Sequence, residues 1–427
     1  MTSFTDNKGR PIVAITGAGI VSSLGQGKQE NWDKLVSGQS GIHRIERFPT
    51  DYLKTSIAGT VDFMTGPEEG SPALTYALAE SAALEAIIQS GLSTTEFGGP
   101  LFLAAPPVEM EWQHRFTLNE EGAALSNELQ SYDRLLLAAR ELNHPGFMPS
   151  VKFSSTAKRL QERVGTVGLP ITLSTACASG ATAIQMGAEA VRRGEAERVL
   201  AIGTDGSVTA EALIRFSLLS ALSTQNDEPT LASKPFSKDR DGFVMAEGAG
   251  ALVLESLEAA MARDANIIGI LEGCGECADD FHRTRSKPDG SPAIAAVKEA
   301  LDDAGINASD VDYINAHGTS TPENDKMECM SLTSIFGEGL GGTPISSNKS
   351  MIGHTLTAAG AIEAVFSLLT IENGVLPPTI NHNNPDPTIE ADVVPNQSRK
   401  MDVNRVLSNS FGFGGQNACL VIAGKPA

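Results

Sequence analysis

The chain has 427 residues, which is too long for one ordinary hydrophobic core and favours two compact lobes. Hydrophobic residues make up 41% and aromatic residues only 5%, so the interior is large but a surface that stacks nucleic-acid bases is not indicated. The formal net charge of −20 repels phosphate backbones and anionic lipids, which argues against nucleic-acid binding and attachment to membranes.

The cysteine content and the absence of long apolar runs indicate a reducing compartment. There are five cysteines, an odd number with loose spacing, which does not predict a disulfide framework. The first ten residues are polar and do not resemble a signal peptide. No apolar run reaches the ~20 residues that a membrane span needs. We therefore expect a cytoplasmic protein without membrane insertion.

Short apolar runs alternate along the chain with helical stretches that are rich in small residues. We predict strands at 12–16, 101–104, 171–175, 199–202, 249–255, 267–271 and 311–316, a glycine turn at 17–19 and a helix at 292–304. Alternation of this kind is typical of a layered α/β architecture.

The order of these elements is repeated once. In each half, a strand ends on a reactive residue and leads into a helix rich in Ala and Gly, first at Cys177 and again at His354. We place the boundary at residue 262, which gives halves of 1–262 and 263–427. The segment at about 101–150 is acidic and irregular, and we interpret it as a cap.

Cys177 has the sequence context of a nucleophile. It follows a β-branched strand and begins a helix of small residues, Ala-Ser-Gly-Ala, where the positive end of the helix dipole favours a thiolate. The alternative is a buried structural cysteine.

His317 and His354 each lie beside a glycine at a predicted strand exit, and Lys349 precedes His354 by five residues. One cysteine and two histidines can supply a nucleophile with acid–base and oxyanion partners. The alternative is that both histidines are satisfied structural residues. Near the C-terminus, the segment SFGFGGQ at 410–416 predicts either a mobile gate or a tight turn with core phenylalanines.

Two other motifs do not carry a function. The GAG at 17–19 follows a strand, but Ser22 stands where the dinucleotide-binding fingerprint needs glycine. Cys274 and Cys277 have C-x-x-C spacing, but no second pair completes a zinc site. We therefore expect no metal.

Taken together, these segments resemble the elongating β-ketoacyl-acyl-carrier-protein synthases. The resemblance rests on TACASG around Cys177, KPFSKDRDGFVMAEGAGALVLE at 234–255, NAHGTSTPENDKMEC at 315–329, SSNKSMIGHTLTAAGAIEAV at 346–365, LPPTINHNNPDP at 376–387 and SNSFGFGGQNACL at 408–420. It covers nearly the whole chain. It implies a thiolase-like fold in which two pseudo-duplicated halves, each with a five-stranded sheet, form five αβαβα layers in a homodimer.

The resemblance also implies roles for individual residues. Cys177 takes an acyl chain from a carrier thioester, His317 and His354 support malonyl decarboxylation and stabilise the enolate, and Lys349 orients the site around His354. The further implied roles are an oxyanion hole from the amides of Cys177 and Phe413, a gate at Phe413, an acyl pocket at Phe216, Phe411 and Phe413, binding of the pantetheine arm by Thr319 and Thr321, and a structural acidic pair, Asp325 and Glu328.

The implied partners are an acyl carrier protein and acyl and malonyl thioesters, and no cofactor is needed because the carrier brings the phosphopantetheine. Three places depart from the family: the segment 104–112, Gln416 in place of threonine, and the missing basic residues for the carrier at 65–72 and Ser220. Lys152, Lys158, Arg159 and Arg163 are candidates for a relocated basic patch.

Three hypotheses are open from the sequence. The first is an elongating synthase of fatty-acid synthesis. The second is a specialised relative that serves a dedicated carrier in very-long-chain or polyketide-like lipid synthesis. The third is a non-catalytic partner subunit of a paralogous synthase. The third is disfavoured because a non-catalytic subunit has no need to keep all four candidate catalytic residues, which are Cys177, His317, His354 and Lys349.

Overall fold

The computed structural model describes residues 4–64, 70–107, 111–142 and 152–425. The strands of the first half are β1 (Val13–Ser22), β2 (Gly25–Gln26), β3 (His43–Arg44), β4 (Ile57–Ala58), β5 (Leu101–Ala104), β6 (Ile171–Leu173), β7 (Arg198–Asp205) and β8 (Gly248–Ser256). Those of the second half are β9 (Gly269–Ala278), β10 (Tyr313–Asn315), β11 (Ile345–Ser346), β12 (Val375–Leu376), β13 (Arg399–Lys400), β14 (Arg405–Phe411) and β15 (Gln416–Ala423).

The helices connect these strands and cover both faces of the sheets. They are α1 (Lys28–Val36), α2 (Gly70–Ser90), α3 (Trp112–Leu125), α4 (Tyr132–Glu141), α5 (Ser155–Val164), α6 (Ser179–Arg192), α7 (Ala210–Leu218), α8 (Leu257–Ala262), α9 (Ser291–Ala304), α10 (Pro322–Phe336), α11 (Lys349–Ile352) and α12 (Ala359–Asn373). Short 3₁₀ turns lie at Pro229–Leu231, Ala308–Asp310, Gly337–Gly342 and Leu356–Ala358.

The two main sheets have the same topology, which confirms the predicted duplication. The first has the order β1-β8-β7-β5-β6 and the second β9-β15-β14-β10-β11. In both sheets, the five strands numbered by their place in the chain lie in the order first, fifth, fourth, second and third. In each sheet, the three strands farthest from the seam are parallel and the others antiparallel. The sheets join where β1 pairs with β9, from Val13 opposite Leu271 to Ile15 opposite Gly269. The chain passes from one half to the other between α8 and β9.

Five layers result from the way that the helices pack. Helix α2 covers the outer face of the first sheet, and α9 covers the outer face of the second. Helices α6 and α12 lie between the sheets and share one continuous apolar core with both. Because a sheet that is covered on both faces needs apolar side chains on both, β7 and β8 are buried along nearly their whole length.

The glycine turn predicted at 17–19 is wrong, because β1 continues through these residues to Ser22, with a shift of the pairing register between Ile15 and Gly17. The glycines serve close packing instead. A Cβ on Gly17 would lie 2.0 Å from the carbonyl oxygen of Ala86, and one on Gly19 would lie 2.1 Å from that of Ala82. Helix α2 can therefore lie directly on the backbone of β1 only because these residues have no side chain.

The predicted cap begins later than residue 101. Residues 101–104 form β5, a buried interior strand of the first sheet. The cap is a helical hairpin in which α3 packs against α4. The rest of the predicted segment, at 108–110 and 143–150, lies outside the described residues, as do Glu68 and Glu69.

The strand that was predicted to end on His354 is absent from that position. Strand β11 ends at Ser346, and His354 follows the short helix α11. The true counterparts in the two halves are the starts of α6 and α12, where Gly180 meets Ala361 and Gly360 meets Ala181. A Cβ on either glycine would lie 2.6 Å from the facing backbone nitrogen.

Among the described residues, no helix is both long and apolar enough to cross a bilayer.

We expect Gly17→Ala to lower the free energy of unfolding by about 1–3 kcal/mol, because the new methyl overpacks the interface between β1 and α2. Denaturant unfolding followed by circular dichroism measures this. The matched control is Gly341→Ala, where nothing lies within 4 Å of the added Cβ, and its effect should stay within about 0.5 kcal/mol. Equal stability of the two variants would contradict the close packing.

Candidate active site

Cys177 lies at a sharp turn between β6 and α6. Ala176, just before it, has a φ of 49°, a left-handed conformation that is uncommon for a residue with a Cβ. The Ser179 hydroxyl stabilises the turn by accepting the Thr175 N–H at 2.7 Å and donating to the Ala176 carbonyl at 2.5 Å. A strained strand-to-helix turn of this kind presents the side chain of a nucleophile to a substrate.

Both predicted histidines lie beside the thiol, although they come from the other half of the chain. His354 Nε2 is 3.0 Å from Cys177 Sγ. The rings of His317 and His354 are nearly perpendicular, with their centroids 5.2 Å apart. The backbone of His354 is fixed by hydrogen bonds to Val244 and Ala246, at 2.7 and 2.9 Å. The structure therefore brings together the three residues that the sequence proposed.

Lys349 is buried beside His317 and not, as predicted, around His354. Its Nζ is 3.3 Å from His317 Nδ1 and forms an ion pair with Glu363 of α12. Since an ammonium group only donates hydrogen bonds, His317 Nδ1 must accept, which leaves the ring proton on Nε2. Lys349 thus fixes the tautomer of His317.

Burial keeps all three reactive side chains neutral at rest. It lowers the pKa of both His317 and His354 well below the usual range, and the Lys349 ammonium lowers them further. Burial also raises the pKa of the Cys177 thiol to about 11, although a hydrogen bond from the Phe413 amide and the charge of Lys349 act in the opposite direction. The thiolate expected from the helix N-terminus is therefore not the resting form. His354 is in place to take the thiol proton when the sulfur attacks.

The predicted acidic pair holds the loop that carries His317. The Glu328 carboxylate accepts the N–H groups of His317 and Gly318, both at 2.8 Å. Asp325 accepts that of Ser320 at 3.2 Å and that of Phe236 at 2.9 Å. Both carboxyl groups are fully buried, so each contact replaces water that the carboxylate has lost.

Two cavities meet at Cys177. We call the first the entrance pocket; its lining includes Cys177, His317, His354, Thr319 and Thr321. The Thr319 and Thr321 hydroxyls are 2.9 Å apart, and Thr321 also caps α10 by accepting the Asn324 N–H.

The second, which we call the inner cavity, is mainly apolar and measures about 280 Å³. Cys177, Phe216 and Phe413 line both cavities, so the two phenylalanines separate them. Phe411 differs from its predicted place in an acyl pocket, because it lines only the entrance pocket, with its ring 6.0 Å from that of His317.

Family profiles match both halves of the chain. The profile described as "Beta-ketoacyl synthase, N-terminal domain" matches residues 11–93 and 112–260, and that described as "Beta-ketoacyl synthase, C-terminal domain" matches 268–383. The chain belongs to the β-ketoacyl synthase family. Members of this family are acyltransferases that form carbon–carbon bonds.

Relatives within the family align over nearly their whole length. The chain is 37% identical to the 3-oxoacyl-[acyl-carrier-protein] synthase 2 of Coxiella burnetii, covering 96% of this chain and 98% of that protein. It is 36% identical to the enzyme of the same name from Vibrio harveyi, covering 96% and 97%.

Solved ketosynthases share the thiolase-like fold. A type II polyketide ketosynthase in complex with its acyl-carrier protein has a TM-score of 0.87 at 31% identity, with 97% of this chain and 100% of that chain covered. A β-ketoacyl synthase from Burkholderia phymatum has a TM-score of 0.83 at 31% identity, with the same coverage.

The match to the synthase family is interrupted where the sequence departs from it. The N-terminal profile has a gap at residues 94–111, which includes β5 and the residues that follow it. Pro106, Pro107 and Glu111 from this region line the inner cavity. The departure therefore changes the wall of the cavity that lies behind Cys177.

Three residues of the proposed relocated basic patch, Lys158, Arg159 and Arg163, lie on α5, and none of them lines the entrance pocket. Arg163 forms an ion pair with Glu80 at 2.6 Å, and Arg159 lies over the ring of Tyr76, 3.6 Å from its centroid. Lys158 is 3.9 Å from Glu162. Each charge already has a partner on the protein. Lys152 and Arg159 line a neighbouring pocket that does not include Cys177.

Two residues of the synthase site were missed from the sequence. Glu363 forms an ion pair with Lys349, and its signal was an acidic residue among the apolar residues of helix α12, whose other acidic residue, Glu372, is exposed near the end of the helix. Phe243 packs edge-on against His354, with centroids 5.3 Å apart, and also against Phe216. It lies in the long loop between α7 and β8, within the segment 234–255 that carries part of the resemblance, but no local pattern singled it out.

We expect His354→Ala to slow the acylation of Cys177 by about 10²–10⁴-fold, because the thiol loses the proton acceptor at 3.0 Å. His317→Ala should slow it much less, since the hydrogen-bond partner of His317 is Lys349. Mass spectrometry of the intact protein against time gives both rates. His382→Ala, at a histidine outside the site, is the control. Equal rates for the two active-site variants would contradict the assignment.

Proposed function

We propose that this protein is a 3-oxoacyl-[acyl-carrier-protein] synthase that elongates fatty acids by decarboxylative Claisen condensation. The contact between Cys177 Sγ and His354 Nε2, placed where two cavities meet, supports this most directly. One cavity can hold the acyl chain and the other the incoming pantetheine arm. The names of the relatives agree with this assignment.

In the first half-reaction, the Cys177 sulfur attacks the carbonyl of the acyl-carrier thioester while His354 takes the thiol proton. The carbonyl oxygen becomes an oxyanion, which the backbone amides of Cys177 and Phe413 can stabilise. The bond between the acyl carbon and the carrier sulfur then breaks, and the proton leaves with the carrier thiol. The acyl chain lies in the inner cavity, past Phe216 and Phe413.

In the second half-reaction, malonyl-carrier enters through the entrance pocket, where Thr319 and Thr321 bind its pantetheine arm. Loss of carbon dioxide leaves an enolate. Its oxygen accepts hydrogen bonds from the Nε2–H of His317 and from the Nε2–H that His354 gains by taking up one proton from solvent. The enolate carbon attacks the acyl carbonyl, and the carbon–sulfur bond to Cys177 breaks. His354 then returns its added proton to the Cys177 sulfur, and the 3-oxoacyl-carrier leaves.

The other parts of the proposal concern cofactors, assembly and location. We propose that no metal takes part, since a cation at the Cys177 site would be repelled by the nearby Lys349 ammonium.

We propose a homodimer, because β6 pairs only with β5 among the described strands and Ile171 on it is 39% exposed. The five free cysteines agree with the proposed cytoplasmic location.

We expect the purified protein alone to convert an acyl-carrier and malonyl-carrier into 3-oxoacyl-carrier with release of carbon dioxide. Cys177→Ala should abolish the product because no other thiol lines the entrance pocket among the described residues. Cys277→Ala is the control and should retain activity. Mass spectrometry of the carrier measures the product. If the protein is inactive alone but active with a paralogous synthase, it is a partner subunit.

A specialised synthase for very long acyl chains is a second candidate, favoured by the cavities themselves. An outer cavity of about 300 Å³ adjoins the inner one, and Ser71, Glu111, Thr209 and Glu211 line both. At this junction the Glu111 carboxylate accepts the Ser71 N–H at 2.6 Å. We propose that an acyl chain longer than the inner cavity extends toward the outer one at this junction.

We expect Ser71→Phe to lower kcat/KM by about tenfold or more for the longest acyl chains that the parent accepts, because overpacking at the junction costs about 1–3 kcal/mol. Shorter chains that fit within the inner cavity should be elongated as before. Competition between acyl-carriers of different length measures this. Ala77→Phe, on the same helix but lining a separate groove, is the control. An unchanged length profile would contradict the extended cavity.

A further inference from the structure

Two exposed arginines lie at the mouth of the entrance pocket of a protein whose net charge is −20, in a segment that also carries Asp279 and Asp280. The segment 279–287 follows β9, and we call it the mouth loop. Arg283 and Arg285 are both exposed, and neither forms an ion pair with any residue that the structure describes. The Lys287 ammonium is 3.7 Å from Asp289, a long contact at the surface. The loop thus presents guanidinium groups that have no partner on the protein.

The backbone of the mouth loop is fixed, so these side chains start from defined positions. The buried Asp279 carboxylate accepts the N–H groups of Phe281 at 2.9 Å and Lys287 at 2.7 Å, which ties together the two ends of the loop. The carbonyl of Arg283 accepts the Gly414 N–H at 2.8 Å. A fixed backbone lowers the entropy that the arginines lose when they bind a ligand.

The loop and the reactive thiol belong to the same pocket. His282, Thr284, Arg285 and Ser286 line the entrance pocket, whose lining also includes Cys177. A substrate arm that delivers its thioester to Cys177 must therefore leave the pocket past this loop. At the far end of a phosphopantetheine arm is a phosphodiester, which is the one charged group of the arm.

We propose that Arg283 and Arg285 bind the phosphodiester of the phosphopantetheine arm. This inference rests on the proposed function, because it concerns the substrate of that same site. A guanidinium group matches a phosphate in shape and charge and can donate two parallel hydrogen bonds. The mouth loop then supplies an attraction that α5 does not, since Arg159 and Arg163 already have partners on α2.

The test compares malonyl-phosphopantetheine with malonyl-pantetheine, which lacks the phosphate, as acceptors for the acylated enzyme. The double variant R283A/R285A should lower kcat/KM for the phosphorylated substrate by about ten- to a hundredfold, as expected for hydrogen bonds to a charged group. Its kcat/KM for the unphosphorylated substrate should stay within twofold of the parent. The double variant R159A/R163A removes the same charge on α5 and should leave both values unchanged.

Three other results would overturn the inference. An equal loss for both substrates would show that the arginines only maintain the shape of the loop. A loss seen with malonyl-carrier protein, but with neither small substrate, would mean that they contact the surface of the carrier and not the phosphate. A parent protein that does not prefer the phosphorylated substrate would also overturn it. If the parent condenses no malonyl thioester, including malonyl-carrier, the proposed function fails, and this inference fails with it.

Discussion

The close contact between α6 and α12 is the constraint on which the site depends. Gly180 and Gly360 each lie against the backbone of the other helix, so the two helix starts approach as near as main chains can. Cys177 immediately precedes one helix, and His354 and the 3₁₀ turn Leu356–Ala358 precede the other. A nucleophile from the first half and its proton acceptor from the second can therefore lie 3.0 Å apart. A larger side chain at either glycine would separate the halves and the reacting groups together.

The buried ion pair between Lys349 and Glu363 is the second determinant of the chemistry. Two charges removed from water are costly to bury, and their mutual attraction offsets this only when the geometry is good. Burial raises the pKa of Glu363 to about 7, which the charge of Lys349 opposes. Burial lowers the pKa of both nearby histidines, and the positive charge of Lys349 lowers it further. The arrangement favours histidines that donate and accept protons over histidines that carry a fixed charge.

The sequence predicted the reactive residues well because they lie in local motifs. Cys177 and His317 could be located from a strand followed by small residues, and the two-sheet fold from the alternation of strands and helices. Predictions failed where contacts between residues distant in sequence determine the conformation or position of a residue. The glycines at 17 and 19 look like a turn, but they lie in a strand because α2 packs on them. Lys349 is close to His354 in sequence, yet its side chain forms an ion pair with Glu363 and a hydrogen bond with His317. The state of the thiol likewise depends on burial, which one local motif does not reveal.

The hydrogen bond between the Arg283 carbonyl and the Gly414 amide joins the mouth loop to the loop that carries Phe413. Gly414 directly follows Phe413, whose amide contacts the Cys177 sulfur and whose ring separates the two cavities. On the other side, the Asp279 N–H donates to the Gly415 carbonyl at 2.6 Å, so the loops are fastened at two points. A displacement of one loop would have to break these two hydrogen bonds or carry the other loop with it. A molecule that presses on the outer loop therefore acts, through two peptide groups, on the backbone beside the reacting sulfur.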